Sequence, residues 1–473
     1  MDVAFALKSL TLLLGFYMAW NIGANDVANA MGTSVGSKAL SLKRAVILAA
    51  VLEFSGAFFV GSSVSETIQK GIIDPQIFQA DPMIFVLGMM GSLLATGILL
   101  QLASYFGLPI STTHAIVGAV IGFGAMIGGL HAIHWGEVGW IVLSWILSPV
   151  LSGIVAYLIF LLIQKKILFA LNPVEATQRL APFFVFICFN VICLSLCYHG
   201  LAQADLDFPF PLAFSLSCSI SLAAALLSYK FIRKSPAATP SCESGFHTAQ
   251  AVSLEKALHH MQRVHLSNRS DSHSARISRV LEEVRLLSDD VKKEAPFHDS
   301  TAQYHSVEKT FVFLQILSAS LVAFAHGAND VANAIGPVAA VLGVLKTHSI
   351  ASHATIPAWL LALGGAGIVI GLATWGWRVI ETIGSKITEL TPTRGFAAEF
   401  GAAATILFAS KLGLPISTTH ALVGAVFGVG MARGLKALNL QTLKEIIISW
   451  IVTIPLCAIL SIAMFYLLKF IFV

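Results

Sequence analysis

An eight-residue motif that occurs twice places the strongest constraint on how this chain can fold. Gly23–Ala30 reads Gly-Ala-Asn-Asp-Val-Ala-Asn-Ala, and the same eight residues return at Gly327–Ala334. A second motif follows each copy, because Gly107–Val120 returns as Gly413–Val426 with a single conservative substitution. Self-similarity over such a length indicates that one structural unit has been duplicated.

The composition places both units in a membrane. The chain of 473 residues is 56% hydrophobic and 11% charged, whereas soluble domains carry about 25% charged residues. Its net charge of +4 does not indicate nucleic-acid binding, since the basic residues lie at the ends of apolar runs. Segments of spanning length predict about twelve transmembrane helices, at 4–36, 42–64, 83–103, 108–130, 138–163, 182–200, 211–232, 309–344, 357–377, 396–411, 413–432 and 442–470. The predicted fold class is an all-α polytopic membrane protein.

Seven of these segments precede a polar stretch and five follow it. We therefore divide the chain into a first transmembrane repeat (1–165), a connecting transmembrane pair (166–232), a cytoplasmic polar loop with two amphipathic helices (233–308) and a second repeat (309–473). Placing both termini outside leaves few basic residues on the outer side, as the positive-inside rule requires. Those residues are Lys8, Lys70, Lys346, Lys411 and Lys469. Because an odd number of crossings separates the two motif copies, the repeats are predicted to be inverted, with discontinuous helices at the motifs.

The first motif predicts a cation site. An aspartate in a membrane span costs roughly 2.5–3.5 kcal/mol on insertion scales, so Asp26 and Asp330 require partners. Asparagines and small residues flank each aspartate, and this pattern predicts that the helix opens and exposes oxygen ligands. Oxygen-only ligands suit a hard cation such as sodium. The candidate ligands are Asn25, Asp26, Asn329 and Asp330. In the alternative interpretation, the motif only forms hydrogen bonds between helices.

The second motif predicts an anion site. A proline is followed by Ser111, Thr112 and Thr113 in one copy, and by Ser417, Thr418 and Thr419 in the other. Three hydroxyl groups beside the free N–H groups of a helix N-terminus suit a tetrahedral oxyanion. The alternative is an ordinary Ser/Thr cap. Two inverted copies would direct both helix termini toward one point near the midplane.

The two motifs also predict symport, because neither region contains Lys or Arg. Two aspartates and an anion would share a site without fixed positive charge, so cations must accompany the anion. Glu53 and Glu399 lie inside apolar runs and are candidates for binding or coupling a cation, with a structural ion pair as the alternative. His114 and His420 end the second motif and are predicted to form structural hydrogen bonds. The alternative is that they orient the motif or titrate.

These motifs together resemble the inorganic phosphate transporter family, PiT, over nearly the whole chain outside 233–308. Glu53 in Leu-Glu-Phe and the segment Val64–Ile68 add to the resemblance. It implies phosphate import by symport with sodium or protons, as a homodimer in a bacterial inner membrane, without a further cofactor. It also implies that phosphate and cations are bound by both Ser-Thr-Thr triplets together with Asp26, Asn29, Asp330 and Asn333.

Other functions fit the sequence less well. A sulfate permease of the same architecture stays open, although sulfate cannot donate a hydrogen bond to the aspartates as hydrogen phosphate can. An anion channel would favour rings of Arg or Lys along its path, and the spans contain none. The spans also lack the Walker lysine, His-Glu-x-x-His and Gly-x-Ser-x-Gly patterns of common enzymes.

Overall fold

The computed structural model is built of helices, which the apolar runs and short polar breaks of the sequence predict. It describes residues 3–108, 110–198, 208–234, 271–294, 297–347, 356–377, 391–433 and 440–473, with single positions at 254, 257, 258, 261, 349 and 380. The helices are α1 Val3–Asn25, α2 Val27–Gly36, α3 Leu42–Val60, α4 Ser62–Lys70, α5 Pro82–Tyr105, α6 Thr112–Gly128, α7 Trp135–Ile163, α8 Pro173–Cys197, α9 Phe210–Lys234, α10 Asp271–Glu294, α11 Phe297–Thr347, α12 Ala358–Gly371, α13 Pro392–Lys411, α14 Thr418–Arg433 and α15 Leu440–Phe472.

Eight spans of the described residues are long and apolar enough to cross a membrane. The pair α3 and α4, bent by 68°, makes a ninth. Helix α6, expected as part of a crossing, has 17 residues, fewer than the roughly 20 that a typical bilayer requires. The chain is therefore a multi-pass membrane protein whose second-motif helices are shorter than full spans.

The sequence predicted that the helix opens at the first motif, but in the structure it does not. Only Asp26 separates α1 from α2, and its N–H still donates to the Ile22 carbonyl at 2.9 Å. Helix α11 runs through the second copy without interruption. The Asn25 and Asn329 amides donate to other helices and loops rather than to their own backbone, so these two side chains do not compete with the helical hydrogen bonds. The discontinuities lie instead at the α3–α4 bend and at the loops that precede α6 and α14.

Glycines allow very close crossings at both copies of the first motif. A Cβ atom at Gly23 would lie 1.9 Å from the Ile368 carbonyl oxygen, where α1 crosses α12. At the crossing of α11 and α3, a Cβ atom at Gly327 would lie 2.1 Å from the Glu53 carbonyl oxygen. Ordinary contacts are 3.4–4 Å. Each motif glycine therefore brings the adjacent aspartate close to a neighbouring helix.

The loops before α6 and α14 turn at glycines in the left-handed region. Gly107 has φ 66° and Gly413 has φ 69°, a backbone conformation that glycine adopts without steric cost. Beyond each turn, a serine begins the helix: Ser111 Oγ accepts from the His114 N–H, and Ser417 Oγ from the His420 N–H, both at 3.3 Å. The Gly-Leu-Pro-Ile-Ser-Thr-Thr-His sequence thus encodes a turn followed by a capped helix.

The described residues divide into two compact units. The first comprises Met1–Phe160, Val185–Ala224 and Val312–Val473 and contains both copies of both motifs. The second comprises Leu161–Phe184 and Ala225–Phe311. Within it, α10 confirms the second of the two predicted amphipathic helices; most of the first lies outside the described residues.

Candidate functional site

The carboxylates of the two motif aspartates converge in the interior of the first unit. One oxygen of Asp26, one oxygen of Asp330 and a ring nitrogen of His326 all lie within 4.8 Å of one another. All three side chains are buried. Two residues about 300 positions apart in the sequence therefore share one small buried volume, as the duplication predicted.

Each aspartate is joined to the triplet of its own copy. Thr112 Oγ1 donates to Asp26 Oδ2, and Thr418 Oγ1 donates to Asp330 Oδ2 at 2.9 Å. The recurrence of this pair shows that both copies build the same local structure. It also places the aspartates at the N-termini of α6 and α14, where the helix dipole stabilises negative charge.

The first asparagine of each motif holds the loop that leads to the triplet. Asn25 Nδ2 donates to Ser104 Oγ at 3.0 Å and to the Leu108 carbonyl at 3.2 Å. Asn329 Nδ2 donates equivalently to Ser410 Oγ at 3.0 Å and to the carbonyl of Leu414 at 3.3 Å. The amide nitrogens are thus used in packing. Of the Oδ1 atoms, which are the candidate cation ligands, that of Asn25 accepts from the Ile110 N–H at 3.4 Å, and that of Asn329 has no partner among the described residues.

The two copies also contact each other through the third residue of the first triplet. Thr113 Oγ1 donates to the Ile416 carbonyl at 3.0 Å and accepts from Asn333 Nδ2 at 3.3 Å. Thr419 is buried at the corresponding position. The side chain of Asn29 and residue Pro109 lie outside the described residues. Of the predicted anion ligands, the two serines serve as helix caps, but their own hydroxyl protons stay available to an anion.

A buried polar chain that the sequence did not lead us to expect joins Glu53 to Asp330. His326 Nδ1 lies 2.6 Å from Glu53 Oε2, and its Nε2 lies 2.7 Å from Asp330 Oδ2. His326 directly precedes the second motif, whereas the equivalent residue of the first copy is Ile22. That difference between otherwise identical segments was the signal that could have revealed this residue.

Glu399 lies in a separate pocket of hydroxyl and amide donors. Its Oε1 atom accepts from Thr33 at 2.5 Å, Ser34 at 2.7 Å and Gln315 Nε2 at 3.2 Å, and Oε2 accepts from Ser318 at 2.5 Å. The side chain is fully buried. No ion pair involves Glu399 among the described residues, so hydrogen bonds alone stabilise its carboxylate.

Several oxygens of the site have no hydrogen-bond partner among the described residues. They are Asp26 Oδ1, Glu53 Oε1, Asn329 Oδ1, Asp330 Oδ1 and Asn333 Oδ1. A buried acceptor without a partner is costly, and carboxylate and amide oxygens are the ligands of hard cations. The described interior contains no buried Lys or Arg side chain that could neutralise them. The arrangement is therefore suited to bind small cations together with an oxyanion.

Comparison with known proteins agrees with this chemistry. The phosphate transporter family model matches residues 22–461. A chloroplastic inorganic phosphate transporter 2-1 of Arabidopsis thaliana is 45% identical over 458 residues, 96% of this chain and 71% of that protein. A putative phosphate permease of Chlamydia pneumoniae is 45% identical over 464 residues, 98% of both chains.

A solved structure described as the sodium-dependent phosphate transporter superposes with a TM-score of 0.80. It is 36% identical in sequence, and the match covers 98% of this chain and 100% of that one. The resemblance inferred from the motifs is confirmed, and an enzyme is not the class that these relatives represent. The chain belongs to the phosphate transporter family.

Proposed function

We propose that the chain imports inorganic phosphate by symport with cations, through a midplane site that is exposed alternately to the two sides of the membrane. The observation that carries this proposal is the convergence of Asp26 and Asp330 within 4.8 Å of one another and of His326. Two carboxylates so close together repel each other and an approaching anion. Bound cations remove that repulsion, which couples phosphate binding to cation binding.

The proposal includes twelve crossings built from inverted repeats, and reciprocal contacts between the copies support the repeat relation. Gly23 of the first copy packs on Ile368 of the second, and Gly327 of the second packs on Glu53 of the first. Glu53 and Ile368 are equivalent positions, so the two contacts exchange under a twofold rotation. A twofold axis in the membrane plane relates the halves of many secondary transporters and places their site where the halves meet.

In this proposal, phosphate binds between the first turns of α6 and α14. Its ligands are Ser111, Thr112, Thr113, Ser417, Thr418 and Thr419, with Asp26, Asn29, Asp330 and Asn333 beside them. In the present arrangement, Thr112 and Thr418 donate to the aspartates and Thr113 donates to the Ile416 carbonyl. These three hydroxyl groups must therefore rotate to reach the anion. Hydrogen phosphate can donate its own proton to a carboxylate, which favours it over sulfate.

The cations bind at oxygens of the same region. Sodium is proposed at Asn25, Asp26, Asn329 and Asp330, where the partnerless Oδ1 atoms of Asn329 and both aspartates supply hard ligands. Glu53 and Glu399 support coupling, Glu53 through His326 and Glu399 through its hydroxyl partners. The transporter whose structure superposes on this chain is described as sodium-dependent, which supports sodium over protons as the coupling ion.

Family resemblance further implies a homodimer in a bacterial inner membrane. The distribution of basic residues places both termini outside and the 233–308 loop in the cytoplasm. The four-part division at residues 1–165, 166–232, 233–308 and 309–473 stays part of this proposal.

Uptake of radiolabelled phosphate into proteoliposomes tests the function directly, with sodium and proton gradients imposed separately. We expect a sodium gradient to drive accumulation and excess sulfate to leave it unchanged. Competition by sulfate would instead identify an oxyanion permease of broader or different specificity. Passive equilibration that no cation gradient can raise above the external concentration would indicate a channel.

The symmetric phosphate site has its own test in Thr113→Ala and Thr419→Ala. Loss of a hydrogen bond to a charged group costs about 1.5–3 kcal/mol, or roughly tenfold to a hundredfold in affinity. Both variants should weaken phosphate binding to the purified protein by comparable factors. Weaker phosphate binding in only one of the two variants would indicate a site formed by one copy. Unchanged phosphate affinity in both variants would indicate that the triplets are only helix caps.

A further inference from the structure

Two histidines and two tryptophans form a continuous series of ring contacts beside the triplets. Ring centroids lie 3.9 Å apart for Trp145 and His114, 4.4 Å for His114 and His420, which meet edge to face, and 3.4 Å for His420 and Trp450, which stack. His114 and His420 are the third residues of α6 and α14 and are buried. The ring contacts therefore connect the first turns of the two helices that carry the triplets.

Hydrogen bonds from these histidines cross between the copies. His114 Nδ1 lies 3.3 Å from the carbonyl oxygen of Trp450, in α15 of the second copy. His420 Nδ1 lies 3.2 Å from the carbonyl oxygen of Trp145, in α7 of the first copy. A carbonyl only accepts, so Nδ1 carries the proton and donates in both cases. Each triplet helix is thereby attached to the last helix of the other copy.

The Trp145 carbonyl is free for this bond because of Pro149. In an α-helix, a carbonyl accepts from the N–H four residues later, and proline has no N–H. Trp145 also donates through Nε1 to the Pro415 carbonyl at 3.1 Å. One tryptophan thus contacts both sides of the Ser417–Thr419 triplet, the loop before it and His420 after it.

Helix α14 packs closely against α7 at Pro149. A Cβ atom at Gly424 would lie 2.1 Å from the Pro149 carbonyl oxygen. Ser152 Oγ donates to the Ala421 carbonyl at 2.6 Å. With the backbones this close, α14 cannot slide along α7 without breaking these contacts, so the position of its first turn is defined by α7.

We propose that His114 and His420 are positioning residues for phosphate. Their crossed hydrogen bonds to the tryptophan carbonyls hold the first turns of α6 and α14 at the separation at which both triplets reach one anion. The inference rests on the proposed phosphate transport. It adds that affinity is set by groups that do not touch the anion and act through the two helices.

The test compares three substitutions in the full-length protein. His420→Phe keeps the stacked ring and removes the Nδ1 donor, whereas His420→Asn places an amide Nδ2 donor where Nδ1 lies. Phosphate Kd is measured on purified protein, and KM and maximal rate per folded molecule in proteoliposomes. We expect His420→Phe to raise Kd and KM about fivefold to tenfold, and His420→Asn to recover most of that loss. Trp140→Phe is the matched control on α7, since Trp140 is 63% exposed.

A purely structural role predicts less folded protein with an unchanged Kd, so an unaltered Kd in His420→Phe would overturn the inference. Equal losses in the Phe and Asn variants would also overturn it, because the donor would then not matter. If His420→Phe does not fold, His114→Phe and His114→Asn replace the pair, since His114 makes the corresponding bond to the Trp450 carbonyl, and His114→Phe must then weaken binding. A wild-type protein that binds sodium but no phosphate would instead refute the proposed function, and the inference with it.

Discussion

Replacing Gly327 by alanine measures how closely α11 must approach α3. The added Cβ atom would lie 2.1 Å from the Glu53 carbonyl oxygen, against an ordinary contact of at least 3.4 Å. Because the obstacle is backbone, no side chain can move aside, and the helices must separate by about 1.3 Å, the difference between these two distances.

That separation reaches the polar chain next to Gly327. His326 Nδ1 lies 2.6 Å from Glu53 Oε2, and a shift of about 1.3 Å along this line would take the pair to about 3.9 Å, beyond hydrogen-bonding range. Overpacking costs about 1–3 kcal/mol, and losing a hydrogen bond to a charged group costs about 1.5–3 kcal/mol. The better helix propensity of alanine offsets about 1 kcal/mol. The net loss of stability is therefore expected to be about 1.5–5 kcal/mol.

The measurement is the apparent melting temperature in detergent, together with phosphate uptake in proteoliposomes. Gly139→Ala is the matched control, because it lies within α7 with nothing within 4 Å of its Cβ position. It should leave uptake unchanged and raise the melting temperature slightly. Gly327→Ala should lower both quantities. Equal melting temperatures and equal uptake for the two variants would refute the close crossing and its link to Glu53.

Three further substitution or labelling experiments address charge and topology. Asp26→Asn keeps the shape of the side chain and removes its charge, so uptake should fall by more than about tenfold in protein that still inserts; near-normal uptake with unchanged cation dependence would make this aspartate structural. Glu399→Gln should weaken the dependence of uptake on the coupling cation while phosphate Kd at saturating cation changes little, and an unchanged cation dependence would assign Glu399 to packing. Cysteines at Lys8 and Ser270 should be labelled from outside and inside respectively, and external labelling at 270, a position beyond the described residues, would contradict the inverted-repeat count.

Some short-range features of the site followed from the sequence. The serine caps occur as the alternative interpretation of the second motif expected, whereas the turns at Gly107 and Gly413 were not predicted. The shared site of Asp26 and Asp330 was expected because their motif is duplicated, and one oxygen of each lies within 4.8 Å of the other. Some structural features that a motif or a repeat specifies within a few helical turns could therefore be predicted from the sequence.

Long-range partners could not be predicted in the same way. Glu399 accepts from Thr33 and Ser34, more than 360 residues earlier in the sequence, and no local pattern marks those hydroxyl groups as its partners. The helix at the motif was also interpreted wrongly, because asparagine can open a helix only when its side chain bonds to the local backbone. Asn25 bonds to Ser104 instead.

His326, which the sequence analysis did not identify, shows which features of the site the duplication preserves and which it does not. Both copies keep the glycine turn, the capped helix and the aspartate that accepts from a threonine. In the proposed mechanism, these groups meet the tetrahedral anion from two sides. The chain from Glu53 through His326 to Asp330 has no counterpart, because the equivalent positions are Ile368 and Ile22. Asp26 and Asp330 therefore have different charged neighbours, although they occupy the same position in the repeated motif. In the proposed mechanism, the groups that both copies share bind the anion, which must be reached from either side of the membrane. The groups that differ between the copies give the cations distinct binding sites.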